Sequence, residues 1–87
     1  MKTKLNLTKK KHNISFYEAS SVFDDPLAQI FYDPEHSVDE ERFIIIGYSK
    51  YNKLLFVSFT ERNNLIRIIS ARNTTKNERK EHESRKS

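Results

Sequence analysis

The chain has no cysteine and no tryptophan, and only one glycine and two prolines in its 87 residues. Without thiols it can build neither a disulfide scaffold nor a zinc ribbon, and it has no thiol nucleophile. No apolar run is longer than Phe43-Ile44-Ile45-Ile46, far short of the roughly 20 residues that span a bilayer. A single glycine leaves no Gly-rich phosphate loop, and no nucleophile elbow or His-Glu-x-x-His pattern occurs. The start, Met1-Lys2-Thr3-Lys4, carries no apolar leader segment, so a cytoplasmic domain without a membrane anchor is expected. The length suits one domain over residues 1–87, marginally stable by itself.

Charge is abundant and unevenly spread. Residues 1–12 hold five lysines and no acid, whereas residues 13–60 hold eight acids against Arg42, Lys50 and Lys53. Residues 61–87 hold eight bases against four acids. A basic N-terminal segment (1–12) and a basic tail thus flank an acidic middle. The pattern points to polyanion binding at the ends, with solvated lysine-rich termini as the plainer alternative.

Secondary structure can be placed from capping and periodicity. Ser15-Phe16-Tyr17-Glu18 has the form of a capping box. Phe16, Ala19, Val22 and Phe23 then recur on one face of a short helix, which Asp24-Asp25-Pro26 ends. Two aspartates at a helix C-terminus oppose its dipole, so the pair is expected to serve a cap, a turn or a partner. Strands are expected over 27–32, 42–48, 54–60 and 65–71, the second covered on both faces because its apolar run is unbroken. Gly47 marks a bulge or a close backbone approach. Asn63-Asn64 supplies a two-residue hairpin turn, since asparagine tolerates positive φ. Thr75-Lys76-Asn77-Glu78 is a second capping box, and residues 73–87, which lack any large apolar side chain, form a polar terminal helix or tail. The fold class is α+β: a small antiparallel meander with one N-terminal helix and a polar C-terminal helix.

Register about the hairpin gathers a set of side chains. With Asn63-Asn64 as the turn, Arg62 lies opposite Leu65, Thr60 opposite Arg67 and Ser58 opposite Ile69. Ser58, Thr60, Arg62 and Arg67 then share one face, with Leu55, Val57, Phe59, Ile66 and Ile68 on the other. Two arginines and two hydroxyls can hold a phosphate, although from these residues alone a solvated sheet face with cross-strand pairs is the slightly favoured reading. The acidic group Asp33, Glu35, His36, Asp39, Glu40 and Glu41 lacks calcium-loop spacing, so no metal is expected. His12, His36 and His82 are isolated in sequence, and spacing selects none of them as a base. The arginine series Arg62, Arg67, Arg72 and Arg79 is the strongest chemical signal, because guanidinium grips phosphate oxygens through paired bonds.

A family resemblance runs through these same segments. Lys11-His12-Asn13-Ile14-Ser15-Phe16-Tyr17-Glu18-Ala19 resembles the Lys-His-Gly-Val-Ser-Phe-Glu-Glu-Ala signature of the BrnT toxins. The likeness continues through Val22–Pro26, Asp33–Ser37, Glu40–Gly47, Thr60–Arg62, Arg67–Arg72 and Glu78-Arg79, covering about residues 10–82. Asn13 stands where the family has glycine, and His82 where members often carry tyrosine. The family's opening strand, with its Phe-x-Trp-Asp, would fall ahead of Met1 when counted back from His12.

The resemblance implies a RelE-like α+β toxin of a type II toxin–antitoxin system. Its activity would be a ribonuclease that arrests translation, neutralised by a BrnA-type antitoxin that binds operator DNA. No cofactor is implied, and DNA would be met only through the antitoxin complex. By position, Glu41, Arg62, Arg67, Arg72 and Arg79 belong to the implied RNA site. Arg62, Arg67 and Arg72 would stabilise charge on the phosphorane, and Glu41 and His82 are candidates for proton transfer. Lys9, Lys10 and Lys11, with Arg79, would attract RNA phosphates. The competing expectation is a catalytically degenerate toxin, or a small module that binds nucleic acid or antitoxin without cleaving anything.

Overall fold

A computed structural model describes residues 14–36 and 40–86, so expectations for Lys9, Lys10, Lys11 and the basic segment 1–12 lie outside the described residues. In chain order the elements are α1 (Phe16–Ser21), a 3₁₀ turn (Val22–Asp24), β1 (Gln29–Tyr32), a second 3₁₀ turn (Pro34–His36), β2 (Arg42–Tyr48), β3 (Leu54–Arg62), β4 (Leu65–Asn73) and α2 (Lys76–Lys86). The strands form one antiparallel meander in the order β1-β2-β3-β4. The arrangement is α+β and compatible with a RelE-like fold. No helix among the described residues is long and apolar enough to cross a membrane.

Helix α1 and the turn after it cover one face of the sheet. Ser15 Oγ accepts the Glu18 amide at 3.0 Å, the first half of a capping box. The expected return bond from Glu18 is replaced: its buried carboxylate accepts instead from Ser49 Oγ at 2.8 Å, tying α1 to the β2–β3 turn. Ile14, Ala19 and Val22 pack on Ile45, Leu55, Val57, Phe59 and Ala71. Phe16, expected on that apolar face, lies half-exposed at the rim, because the fully buried Ile14 takes the inner place. Phe23 and Phe43 close the core edge on Phe59, the first edge-on at 5.0 Å and the second stacked at 5.6 Å.

The two aspartates form a turn and a tether. Asp25 Oδ1 accepts the Leu27 amide, so β1 begins at Gln29 rather than at the expected Leu27. Asp25 Oδ2 accepts the Tyr48 amide at 2.8 Å. That bond requires the bare backbone of Gly47, where a Cβ would come within 2.7 Å of Ala28 Cβ and 3.0 Å of Asp25 Oδ2. The glycine is a close approach and not a bulge.

The bulge lies in β4. Asn63 and Asn64 have φ of 55° and 67°, as a tight hairpin of this hand demands. From there Arg62 pairs with Leu65, Thr60 with Arg67 and Phe59 with Ile68, but Ser58 pairs with Ser70. The expected partner of Ser58, Ile69, is the extra residue. Strict alternation would put Arg67 and Arg72 on opposite faces of β4. The extra residue turns the strand so that Arg67, Ser70 and Arg72 all lie on the face away from α1.

Helix α2 crosses the far face at one end of the strands. Thr75 Oγ1 accepts the Glu78 amide at 3.2 Å, and Glu78 Oε1 accepts the Thr75 amide at 2.9 Å. His82 is its buried anchor, 2% exposed, with Nδ1 3.3 Å from Gln29 Oε1 and its ring edge-on to Tyr48. The segment is therefore a helix to whose docking a buried histidine and the Arg72–Glu78 ion pair contribute, without the large apolar residues that usually dock a helix.

Candidate active site

The face away from α1 can be built row by row from the ladders. Gln29, Ile46, Phe56 and Arg72 make one row, and Phe31, Ile44, Ser58 and Ser70 the next. Arg42, Thr60 and Arg67 make a third, and Arg62 with Leu65 ends the hairpin. Every arginine of the sheet thus lies on this face.

Two hollows divide the face. One, of about 450 Å³, has Arg42, Arg72, Ser58 and Ser70 in its floor and walls, with Asp33 and His36 along the β1 side. The other, of about 390 Å³, lies by the hairpin and is lined by Arg62, Arg67 and Glu40. Thr60 lines the second hollow, and its Oγ1 donates to the Glu41 carbonyl at 2.7 Å, which pins the start of β2.

Arg72 is firmly held. Its two terminal nitrogens donate to the two Glu78 oxygens at 2.9 Å each, and Nη1 also donates to the Asn73 carbonyl. Its guanidinium lies 3.9 Å over the Phe56 ring. These bonds use three of its five N–H donors and fix its plane. The hydrogen bond from Arg72 is the main reason the Glu78 carboxyl is lowered to about 2, helped by the Thr75 amide and opposed by partial burial. The same pairing raises Arg72. Arg62 is more loosely placed, 3.7 Å from Glu40 and largely open to water.

His36 sits on the 3₁₀ turn after β1, with Nδ1 2.9 Å from Asp33 Oδ2. The Asp33 amide donates to the Arg42 carbonyl at 2.9 Å, so the same turn is bound to the strand that carries Arg42. Among the described residues no three His, Cys, Asp or Glu side chains come together as a metal site would require.

The sequence-predicted residues do not converge on one point. Arg72 lies in the first hollow, and Arg62 and Arg67 line the second. Arg79 is exposed on α2, and Glu41 is exposed and lines neither hollow. His82 is buried beneath α2, where it meets Gln29 and Tyr48, and it lines neither hollow. Arg42, His36 and Ser70 were not singled out from sequence for this site. The Arg42–Thr60 pairing would have found the first, but nothing local in sequence brings His36 to Arg72.

The sheet of this small antiparallel α+β domain thus gathers its arginines on one face, beside a histidine–aspartate pair. The family of the ribonuclease toxin, BrnT, of type II toxin–antitoxin systems matches residues 2–78, and the chain belongs to that family. Membership implies an RNA substrate and an antitoxin protein as partner. No curated protein matches the chain.

Proposed function

We propose that the chain is an endoribonuclease that cuts RNA without a metal ion, by attack of a ribose 2′-hydroxyl on the adjacent phosphate. Unrestrained, it would inhibit translation and growth, and a BrnA-type antitoxin would neutralise it in the cytoplasm. The observation that carries this reading is the bulge at Ile69, which turns Arg72 to the same face as Arg42, Arg62 and Arg67. Fixed cations at the point where negative charge accumulates are the largest catalytic contribution expected for this chemistry. Arg42 and Arg72 are assigned to the phosphorane, with Arg62 and Arg67 on flanking phosphates. Lys9, Lys10, Lys11 and Arg79 would add sequence-independent attraction that weakens as salt rises. Glu41 and His82 are given no proton-transfer role.

Incubating the purified chain with labelled RNA in excess chelator tests this directly. Fragments ending in 2′,3′-cyclic phosphate are expected, and induction of the chain alone in cells should stop growth. Intact RNA with normal growth would leave an antitoxin-binding module in place of an enzyme. Cleavage lost in chelator and restored by magnesium would overturn the metal-free route.

A further inference from the structure

We infer that His36, held by Asp33, is the group that takes the proton from the attacking 2′-hydroxyl, an inference that rests on the ribonuclease reading above. His36 lines the same hollow as Arg42 and Arg72. A carboxylate only accepts hydrogen bonds, so the 2.9 Å contact to Asp33 Oδ2 requires the proton on His36 Nδ1. In the neutral ring this leaves the Nε2 lone pair for the substrate, while Asp33 stabilises the imidazolium as it forms. The ring is 61% exposed, so a substrate oxygen can reach it, and Asp33 is 14% exposed and shielded behind it. The turn is secured by its own strand pairing through the Asp33 amide and the Arg42 carbonyl. The base and one phosphate-binding arginine are thereby tied together by the backbone.

The step balances as follows. The 2′-oxygen loses its proton to His36 Nε2 while it forms the new bond to phosphorus. The P–O5′ bond breaks with its electron pair on O5′, and water supplies the proton that this oxygen takes. His36 then releases its proton to solvent, leaving a 2′,3′-cyclic phosphate and a 5′-hydroxyl. Asp33 is a positioning residue, since it acts only through the imidazole.

Steady-state cleavage of a labelled RNA oligonucleotide by the full chain tests the assignment. His36→Gln should lower kcat by about 10²–10⁴-fold with little change in KM. Asp33→Asn should lower kcat by a smaller factor, again at constant KM. Added imidazole should restore part of the activity of His36→Ala, which a purely structural loss would not permit. Parent-like melting of the His36 variants will show that the fold persists. A cleaving parent whose His36→Gln variant keeps the same kcat, or a His36→Ala variant deaf to imidazole, overturns this inference and leaves the ribonuclease reading intact. A parent that cuts no RNA overturns both.

Discussion

Glu78 closes a helix cap and an ion pair at once, so its charge should carry measurable stability. Its two oxygens meet Arg72 at 2.9 Å each, and Oε1 also takes the Thr75 amide. Together these bonds hold the carboxyl at about 2 against an ordinary 4.5. A difference of that size corresponds to about 3 kcal/mol as an upper bound. The Arg72 and Glu78 side chains are 37% and 24% exposed, so water screens the pair and about 1–2 kcal/mol is the expected net value. Glu78→Gln keeps the shape and an acceptor for Thr75 but removes the charge. Melting should fall by about 4–16 °C near neutral pH for a domain of this length. The folded carboxyl titrates below its unfolded value, so its contribution is full above about pH 4.5 and is lost as pH falls through about 2. Parent and variant melting curves should therefore converge on acidification. Equal melting temperatures near pH 7, or a gap undiminished at about pH 2, would refute the reasoning.

Other substitutions probe the remaining joints. Gly47→Ala forces a Cβ to within 2.7 Å of Ala28 Cβ and against Asp25, and should cost about 1–3 kcal/mol in urea denaturation. An unshifted midpoint would mean that β1 yields at no cost. Arg72→Ala should slow RNA cleavage by about a hundredfold or more while the far-UV spectrum stays parent-like, and an unchanged rate would remove Arg72 from the site. His82→Ala should release α2 ahead of the sheet, seen as faster hydrogen exchange in α2 amides alone. Uniform exchange across helix and sheet would deny His82 its anchoring role. A bound antitoxin at a thousandfold excess over its Kd should add about 4 kcal/mol of stability, and an unshifted melt would deny that it binds the folded chain alone.

The strands and turns were legible because their signals are local. An unbroken apolar run marks β2, paired asparagines mark the hairpin, and two capping boxes mark the helix starts. Arg62 and Arg67 fell on one face from the turn alone, as the ladder has it. What failed depends on contacts between distant segments. The bulge at Ile69 breaks the alternation with no glycine or proline to announce it. His82 was a candidate for proton transfer by position alone, and its burial could not be read, because only the fold brings Gln29 and Tyr48 to meet it. His36 stands between Glu35 and Ser37 in sequence, and its pairing with Asp33 gains chemical meaning only from the arginines that line the same hollow.

Strand β4 is one residue out of step with its neighbour, and this has an unusual genetic consequence. Dropping a residue from the middle of a strand ordinarily turns everything beyond it inside out. Here the excess is already present, so excision of Ile69 would join Ile68 to Ser70 with both still opposite their present partners Phe59 and Ser58. Because residues 68 and 69 are both isoleucine, excising Ile68 gives the same chain, whereas excising Ser70 would put Ile69 opposite Ser58 on the arginine face. A single-codon deletion scan along β4 should therefore tolerate loss of either isoleucine codon, the two giving one chain, and suffer from loss of Arg67 or Ser70 on either side. Since Ile69 also lines the hollow with Arg72, that survivor would be a sound fold with a wider, flatter binding surface.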